Sequence, residues 1–177
     1  IYDMIVSLSA NLRYTIKGGE LVSLQAELDY VDRYILLQKT RLGGRLEVTK
    51  KINPKVNLAV IPKISIQMLV ENAIIHGMPE DGAVLHIIIR VCMENNRLLI
   101  SVYDDGKGIL PEKVKELNDI FSGKSADTGN SIGLPNLASR LKILYQGEAG
   151  LFLESQGDQF TEVKMELPIR KRGNENV

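Results

Sequence analysis

Apolar residues recur every three or four positions in two stretches at the start of the chain, which predicts two amphipathic helices. The first covers residues 1–14, and the second opens with Ser23 as its cap and runs to about Arg41. A glycine pair follows each helix. The pattern predicts an antiparallel helical hairpin, or part of a bundle that pairs with another chain, over residues 1–44. The alternative is that both helices pack on their own domain.

From residue 45 onward the pattern combines strand and helix periods, which predicts a separate α/β domain over residues 45–170. A stretch rich in Gly, Ser, Asp and Thr at 122–131 has little to bury and is predicted to be a mobile loop. Residues 171–177 are a polar tail. The predicted strands are 46–52, 84–93, 97–103, 151–154 and 161–167, and the predicted helices are 63–75, a short one after Pro111, and 134–145.

Composition excludes some classes of function. The formal net charge is +0 and no basic stripe is present, so nucleic-acid binding has no electrostatic support. A single cysteine, Cys92, excludes an internal disulfide framework, which fits a reducing compartment. No apolar run in these residues approaches the roughly 20 residues of a membrane span, and we expect no signal peptide within them. Because the chain begins at Ile1 rather than Met, we expect a fragment, with any membrane anchor upstream.

The first stretch with candidate chemistry is Asp104–Gly108, which directly follows the apolar run 98–103. An acidic residue at the end of a strand, followed by two glycines, can hold a flat polar ligand against the backbone. The carboxylate of Asp104 can accept a hydrogen bond from an exocyclic amine such as that of adenine. Taken alone, the stretch is more often a plain turn.

The second stretch, residues 71–77, interrupts the apolar helix 63–75 with Glu71, Asn72 and His76. Such residues are costly to bury without partners. The side-chain oxygen of Asn72 is a hard neutral ligand suited to Mg²⁺, which usually completes its coordination with water and nucleotide phosphates. Purely structural roles are the alternative: Asn72 as a polar residue that bends the helix, and His76 as a histidine satisfied at a helix end.

The third stretch, Gly129–Asn136, joins the predicted loop to a helix. Glycines before a helix allow backbone N–H groups and the positive helix end to approach a phosphate. Arg140, one turn beyond Asn136, can add a positive charge, although a surface position is the commoner role. The Walker lysine is missing and no strand precedes the glycines, which disfavours both P-loop and dinucleotide folds.

Together the three stretches resemble the ATP-binding domain of the GHKL superfamily, specifically that of sensor histidine kinases. The match is closest to the LytS-like subfamily, because residues 69–77 reproduce its Leu-Val-Glu-Asn-Ala helix followed by His-Gly. Arg140-Leu141 and Tyr145 also match that subfamily. The resemblance implies an α+β fold: a two-layer α/β sandwich of the Bergerat type, with a mixed sheet, helices on one face and a preceding helical hairpin.

The resemblance also implies a role for each matching residue. Glu71 is the implied catalytic residue, which orients or activates the attacking imidazole, and Asn72 is the implied Mg²⁺ ligand. Asp104 is implied to recognise the adenine amine, and residues 122–131 to form the lid. The implied nucleotide-binding residues are Asn72, His76, Asp104, Gly106, Gly108, Ile109, Gly133, Leu134, Asn136 and Arg140.

The implied activity is transfer of the γ-phosphate of ATP, with Mg²⁺, to a histidine upstream of this chain, for relay to a response regulator. The implied whole protein is a homodimeric bacterial sensor with this domain in the cytoplasm. The chain lacks the phosphoacceptor box; residue 75, often basic in the family, is Ile75, and Asp105 replaces the usual Asn. The alternative is therefore a degenerate non-catalytic module used for regulation or dimerisation. A GHKL ATPase of the chaperone or mismatch-repair type is less favoured, because those need a following transducer domain.

Overall fold

The computed structural model describes residues 19–56, 58–126 and 133–169. The predicted helix at 1–14, the predicted tail, the first half of the second glycine stretch (129–132) and the second half of the predicted loop (127–131) lie outside these residues. The helices of the described part are α1 (Leu24–Leu42), α2 (Ser65–Gly77), α3 (Pro111–Ser122) and α4 (Leu134–Leu144). The strands are β1 (Leu21–Ser23), β2 (Leu46–Ile52), β3 (Val60–Pro62), β4 (Leu85–Glu94), β5 (Arg97–Asp104), β6 (Gly150–Gln156) and β7 (Phe160–Pro168).

Helix α1 confirms the predicted cap. The hydroxyl of Ser23 accepts a hydrogen bond from the backbone N–H of Ala26 at 3.2 Å, which satisfies one of the free donors of the first turn. The helix ends at Gly43, whose φ of 64° is easily adopted only by glycine. Its apolar side packs into the same core as the sheet, through Leu24, Val31 and other residues. The domain boundary at residues 44 and 45 stays a prediction.

The main sheet has five strands in the order β2-β4-β5-β7-β6. β2 and β4 are parallel, and the remaining neighbours are antiparallel, so the sheet is mixed as predicted. The hairpin between β4 and β5 turns at Asn95 and Asn96, which have φ angles of 48° and 61°. Two consecutive positive φ angles are typical of the tight turn that matches strand twist.

Helices α2, α3 and α4 pack against one face of this sheet. Alternate residues of the strands are buried on that face, for example Leu85, Ile87 and Ile89 of β4, whereas His86 on the other face is exposed. The predicted two-layer α+β sandwich with a mixed sheet is therefore confirmed. No helix in the described part of the chain combines the length and apolar character needed to cross a bilayer.

A short antiparallel pair of strands, β1 and β3, is not predicted by the sequence pattern. Each has three residues, too few to show an alternating pattern. The backbone bonds from Leu24 N to Ala59 O and from Lys63 N to Glu20 O, both 2.9 Å, extend this pairing. The pair fixes the beginning of α1 beside the beginning of α2.

Candidate functional site

A pocket of about 910 Å³ opens between α2, the loop after β5, and the first turns of α3 and α4. All three stretches with candidate chemistry contribute to its wall, although they lie far apart in the sequence. The lining residues are Met68, Glu71, Asn72, Ile75, His76, Lys107, Gly108, Ile109, Lys113, Leu117, Gly133, Leu134, Pro135, Asn136 and Leu153.

The wall formed by α2 explains why polar residues interrupt an apolar helix. Glu71, Asn72 and His76 lie on the side of α2 that lines the pocket, while Leu69 and Ala73 are buried in the core. A spacing of four residues places Asn72 and His76 on one face of the helix, and Glu71 lies at the edge of that face. The amide of Asn72 makes no hydrogen bond to any residue that the structure describes. Its oxygen is therefore available to a ligand.

The loop after β5 requires glycine at two positions, for different reasons. A Cβ atom on Gly106 would lie 2.1 Å from the backbone oxygen of Gly77, at the end of α2. Gly108 has a φ of 64°, and a Cβ atom there would lie 2.1 Å from the backbone oxygen of Gln156. Close backbone packing thus excludes any side chain at either position. Of the two, Gly108 lines the pocket and Gly106 does not.

Asp104 is a buried carboxylic acid, with a relative exposure of 2%. Burial raises its pKa to about 7; the hydrogen bond from the N–H of Gly106, at 3.1 Å, opposes this shift, and the charge of Asp105 adds to it. The carboxylate also lies against Gly77, where a Cβ atom would come within 2.5 Å of Oδ1. Asp104 is not itself a lining residue.

Asp105 faces away from the pocket lining. One of its carboxylate oxygens accepts a hydrogen bond from the backbone N–H of His86 at 2.7 Å, and the other lies 2.7 Å from Nδ1 of the His86 ring. Asp105 is therefore held by the start of β4. Its charge also raises the pKa of Asp104.

Helix α4 begins at the rim of the pocket. Its N-cap residue is Gly133, which has no side chain to accept a hydrogen bond, and a Cβ atom there would meet none of the described residues within 4 Å. Gly133, Leu134 and Asn136 all line the pocket. Arg140 does not: its guanidinium Nη2 donates to the backbone oxygen of Glu20 at 3.4 Å. A nucleotide-binding role for Arg140 stays a prediction.

Two lysines of the pocket wall are missing from the residues predicted to form the site. Lys107 forms an exposed ion pair with Glu80 at 3.1 Å, and Lys113 forms one with Glu116 at 2.9 Å. Lys107 lies within Asp104–Gly108, so the sequence motif itself could have identified it as a site residue. Lys113 lies one turn into α3, and only the tertiary structure brings it to the pocket.

The donor set of the pocket determines which metal site is possible. No group of three or more His, Cys, Asp or Glu residues in the described part of the chain could hold a metal ion. Asn72, with a free amide oxygen in the pocket, fits the alternative arrangement in which one protein oxygen supplements water and phosphate ligands of Mg²⁺. Such an ion would be held only together with its nucleotide.

Comparison with known families and proteins agrees with this geometry. Residues 62–171 match the family "Histidine kinase-, DNA gyrase B-, and HSP90-like ATPase", and residues 1–46 match the family "Histidine kinase". The sensor protein LytS of Bacillus anthracis is 29% identical over 97% of this chain and 29% of its own length. The sensor histidine kinase YpdA of Escherichia coli K12 is 38% identical over 81% of this chain and 25% of its own length.

Solved structures show the same fold. The catalytic domain of the histidine kinase ThkA has a TM-score of 0.58 at 17% identity, covering 84% of this chain and 93% of that domain. The histidine kinase domain of a blue-light activated kinase from Erythrobacter litoralis has a TM-score of 0.54 at 21% identity, covering 95% of this chain and 74% of that domain.

This chain spans about a quarter to a third of the length of the curated relatives it matches. It belongs to the histidine kinase-, DNA gyrase B- and HSP90-like ATPase family, and within that family to the ATP-binding catalytic domains of sensor histidine kinases.

Proposed function

We propose that this domain binds ATP with Mg²⁺ in the pocket between α2 and α4 and transfers the γ-phosphate to a histidine upstream of residue 1, for relay to a response regulator. The observation that supports this most strongly is the convergence of the three predicted stretches on one pocket of about 910 Å³. That volume is within the usual range for small-molecule sites.

Asp104 is the proposed adenine-recognition residue. Within the described residues, the only hydrogen bond of its carboxylate is the one that Oδ1 accepts from Gly106, so the other oxygen can accept from an exocyclic amine. Because the carboxylate is buried, such a bond is protected from competition by water. Gly106 and Gly108 keep the loop close to α2 and β6, and we propose that Gly108 and Ile109 contact the base.

The phosphates are proposed to lie between Asn72 and the start of α4. Mg²⁺ bound there would neutralise charge on the phosphates and on the leaving ADP. The N-terminal end of α4 carries partial positive charge, and the small Gly133 allows close approach to its backbone. Lys113 adds a positive charge from the neighbouring wall. His76 is proposed to line the entrance.

Glu71 is proposed to orient the attacking imidazole. Its side chain reaches the pocket one residue before Asn72, so an imidazole hydrogen-bonded to Glu71 would approach the γ-phosphate beside the metal. Transfer breaks the bond between the γ-phosphorus and the bridging oxygen, forms a phosphorus–nitrogen bond, and releases ADP. The domain contributes positioning and charge stabilisation rather than a covalent intermediate.

The partners of the whole protein are also proposed. Because the relatives are sensor kinases, we propose a response regulator as the acceptor of the phosphate. We further propose that the whole protein is a homodimer in which this domain lies on the cytoplasmic side of a membrane. No phosphoacceptor histidine is proposed within residues 1–177: His76 lies on the pocket wall and His86 on β4.

The experiment is a calorimetric titration of ATP into the chain, with and without Mg²⁺. We expect micromolar to millimolar binding, and we expect Asp104→Asn to abolish it because an amide in place of the carboxylate offers fewer acceptors to the adenine amine. In Asn72→Ala the tightening by Mg²⁺ should disappear while metal-free binding is kept. No binding of ATP by the folded, unmodified chain would reject the proposal and favour the non-catalytic module.

A further inference from the structure

Helices α1 and α2 are joined by a buried carboxylate. Glu27 of α1 is fully buried, with a relative exposure of 0%. Its Oε2 accepts a hydrogen bond from the N–H of Ile64 at 2.8 Å, and its Oε1 accepts from Ile66 at 3.1 Å and Gln67 at 3.4 Å. These donors are amides of the N-cap residue and of the first turn of α2, and amides at such positions have no partner within their own helix. Glu27 therefore caps α2 from another helix.

The local sequence of α2 does not provide this cap. The residue at its N-cap position is Ile64, which has no side-chain hydrogen bond to offer and a φ of 67°. A β-branched residue in the left-handed region is strained and persists only where the surrounding structure holds it. The bond between Ile64 N and Glu27 is one such restraint. The start of α2 thus depends on α1.

Two further contacts show that the helices run side by side in the same direction. Tyr34, seven residues after Glu27, lies near Glu71: burial and then the charge of Glu71 raise the pKa of Tyr34 to about 12, opposed by Arg41 and a hydrogen bond with Gln38. Farther along, the guanidinium of Arg45 donates to the backbone oxygen of Pro79 at 2.6 Å. Because Arg45 follows α1 and Pro79 follows α2, the two segments remain side by side beyond the ends of both helices.

We propose that Glu27 is a positioning residue for the nucleotide pocket, which fixes α2, and with it Glu71 and Asn72, relative to α1. The proposal rests on the proposed function of the pocket. Asn72 follows Gln67 by five residues, so unwinding of the first turn of α2 would displace it along and around the helix axis. Because α1 lies in the part matched by the "Histidine kinase" family and α2 in the ATPase part, Glu27 joins the two.

The test compares Glu27→Gln with Ser23→Ala in the 177-residue chain. Glu27→Gln keeps the size of the side chain but removes its charge and places an NH₂ group against a backbone N–H. Ser23→Ala removes the cap of α1 itself, at a site that does not contact α2 through its side chain. Both variants should lower thermal stability. Kd for Mg-ATP, measured well below the melting temperature, separates positioning from general loss of stability.

We expect Glu27→Gln to raise Kd about 10-fold, because it removes a charged hydrogen-bond acceptor that holds α2. Ser23→Ala should change Kd less than about 2-fold, because it leaves the contact between Glu27 and α2 intact. Equal effects of both variants, or an unchanged Kd in Glu27→Gln, would overturn the proposal. Restoration of tight binding by Glu27→Asp would support a requirement for charge, and no better binding than in Glu27→Gln would oppose it.

Amide hydrogen exchange gives a result that does not depend on nucleotide binding. In Glu27→Gln we expect faster exchange not only at Ile66 and Gln67 but also at Glu71 and Asn72. If acceleration stops at the first turn, Glu27 is merely a local cap and the inference fails. If the unmodified chain binds no ATP, the proposed function fails, while acceleration as far as Asn72 would still support control of α2 by Glu27.

Discussion

Two walls of the pocket use glycine in opposite ways. We call Gly77 with Asp104–Gly108 the Asp104 wall, which reaches the pocket through Lys107 and Gly108, and we call Gly133–Asn136 the Gly133 wall. In the Asp104 wall, a Cβ atom on Gly106 would collide with the backbone of Gly77, whereas one on Gly133 would meet none of the described residues within 4 Å. The same residue type in two motifs thus closes one wall by packing and leaves space at the other. We expect the Asp104 wall to be fixed by the fold and the Gly133 wall to adapt to its ligand.

The largest expected effect is the loss of stability when one methyl group is added to the Asp104 wall, compared with the same addition to the Gly133 wall. Gly106→Ala should lower the free energy of unfolding by more than about 4 kcal/mol, because backbone rather than a flexible side chain must move. Gly133→Ala is the matched control and should change it by less than about 1 kcal/mol. Urea unfolding measures both. Similar losses in the two variants would show that the walls do not differ in this way.

Asp104→Asn tests the electrostatic cost of the Asp104 wall. Because the folded pKa of about 7 exceeds the unfolded value of 3.8, folding favours the protonated acid, and ionisation destabilises the fold increasingly from about pH 4 to pH 7. Relative to the unmodified chain, the variant should gain nothing near pH 4 and up to about 4 kcal/mol at pH 8. Urea unfolding at both pH values measures the gain.

The matched control for this variant is Asp105→Asn, which makes the same chemical change at an exposed neighbour that is bonded to His86. It should give a much smaller gain, since the charge of Asp105 is a minor cause of the raised pKa. A gain of equal size at both positions would contradict burial as the main cause. Loss of ATP binding together with increased stability in Asp104→Asn would indicate that the charge is retained for function.

A smaller effect is expected at Lys113, between the two walls. Lys113→Ala should weaken ATP binding about 5-fold, since it removes one partly screened positive charge from the pocket. Stability should change by less than about 0.5 kcal/mol, because the ion pair with Glu116 is exposed. Glu116→Gln is the control: it removes the ion pair and keeps the lysine. Equally weakened binding in Glu116→Gln would show that Lys113 acts through its ion pair.

The smallest expected effect is a gain at Ile75. This pocket residue is 58% exposed, so a lysine would fit without unfolding α2 and should tighten ATP binding about 3-fold. Leu36→Lys introduces the same charge at a leucine of α1 that is 53% exposed and lies outside the pocket lining. Calorimetry compares the two. Equal tightening by both would mean that net charge, not position, determines affinity.

The elements that were predicted correctly have local signals. Ser23 at the start of α1, the Asn95-Asn96 turn and the alternating strands all result from interactions within a few residues. The pocket could be predicted only as three separate stretches, because their meeting depends on the sheet topology. The resemblance to a known family, rather than periodicity, connected them.

The features that could not be predicted depend on long-range contacts. The cap formed by Glu27 joins residues 37 to 40 positions apart, and the helical pattern around Glu27 gave no reason to bury a carboxylate there. The need for Gly106 arises from the backbone of Gly77, not from its own φ angle. Lys113 reaches the pocket only because α3 packs beside β6.

The raised pKa of Asp104 also affects the enthalpy of ATP binding that calorimetry would record. At pH 7 about half of the molecules would hold a proton on this carboxyl group. An amine that donates to the carboxylate favours the ionised form, so ligand binding should expel that proton into the buffer. The apparent enthalpy of ATP binding should therefore differ between phosphate and Tris, whose ionisation enthalpies differ, and the difference should vanish in Asp104→Asn if any binding remains.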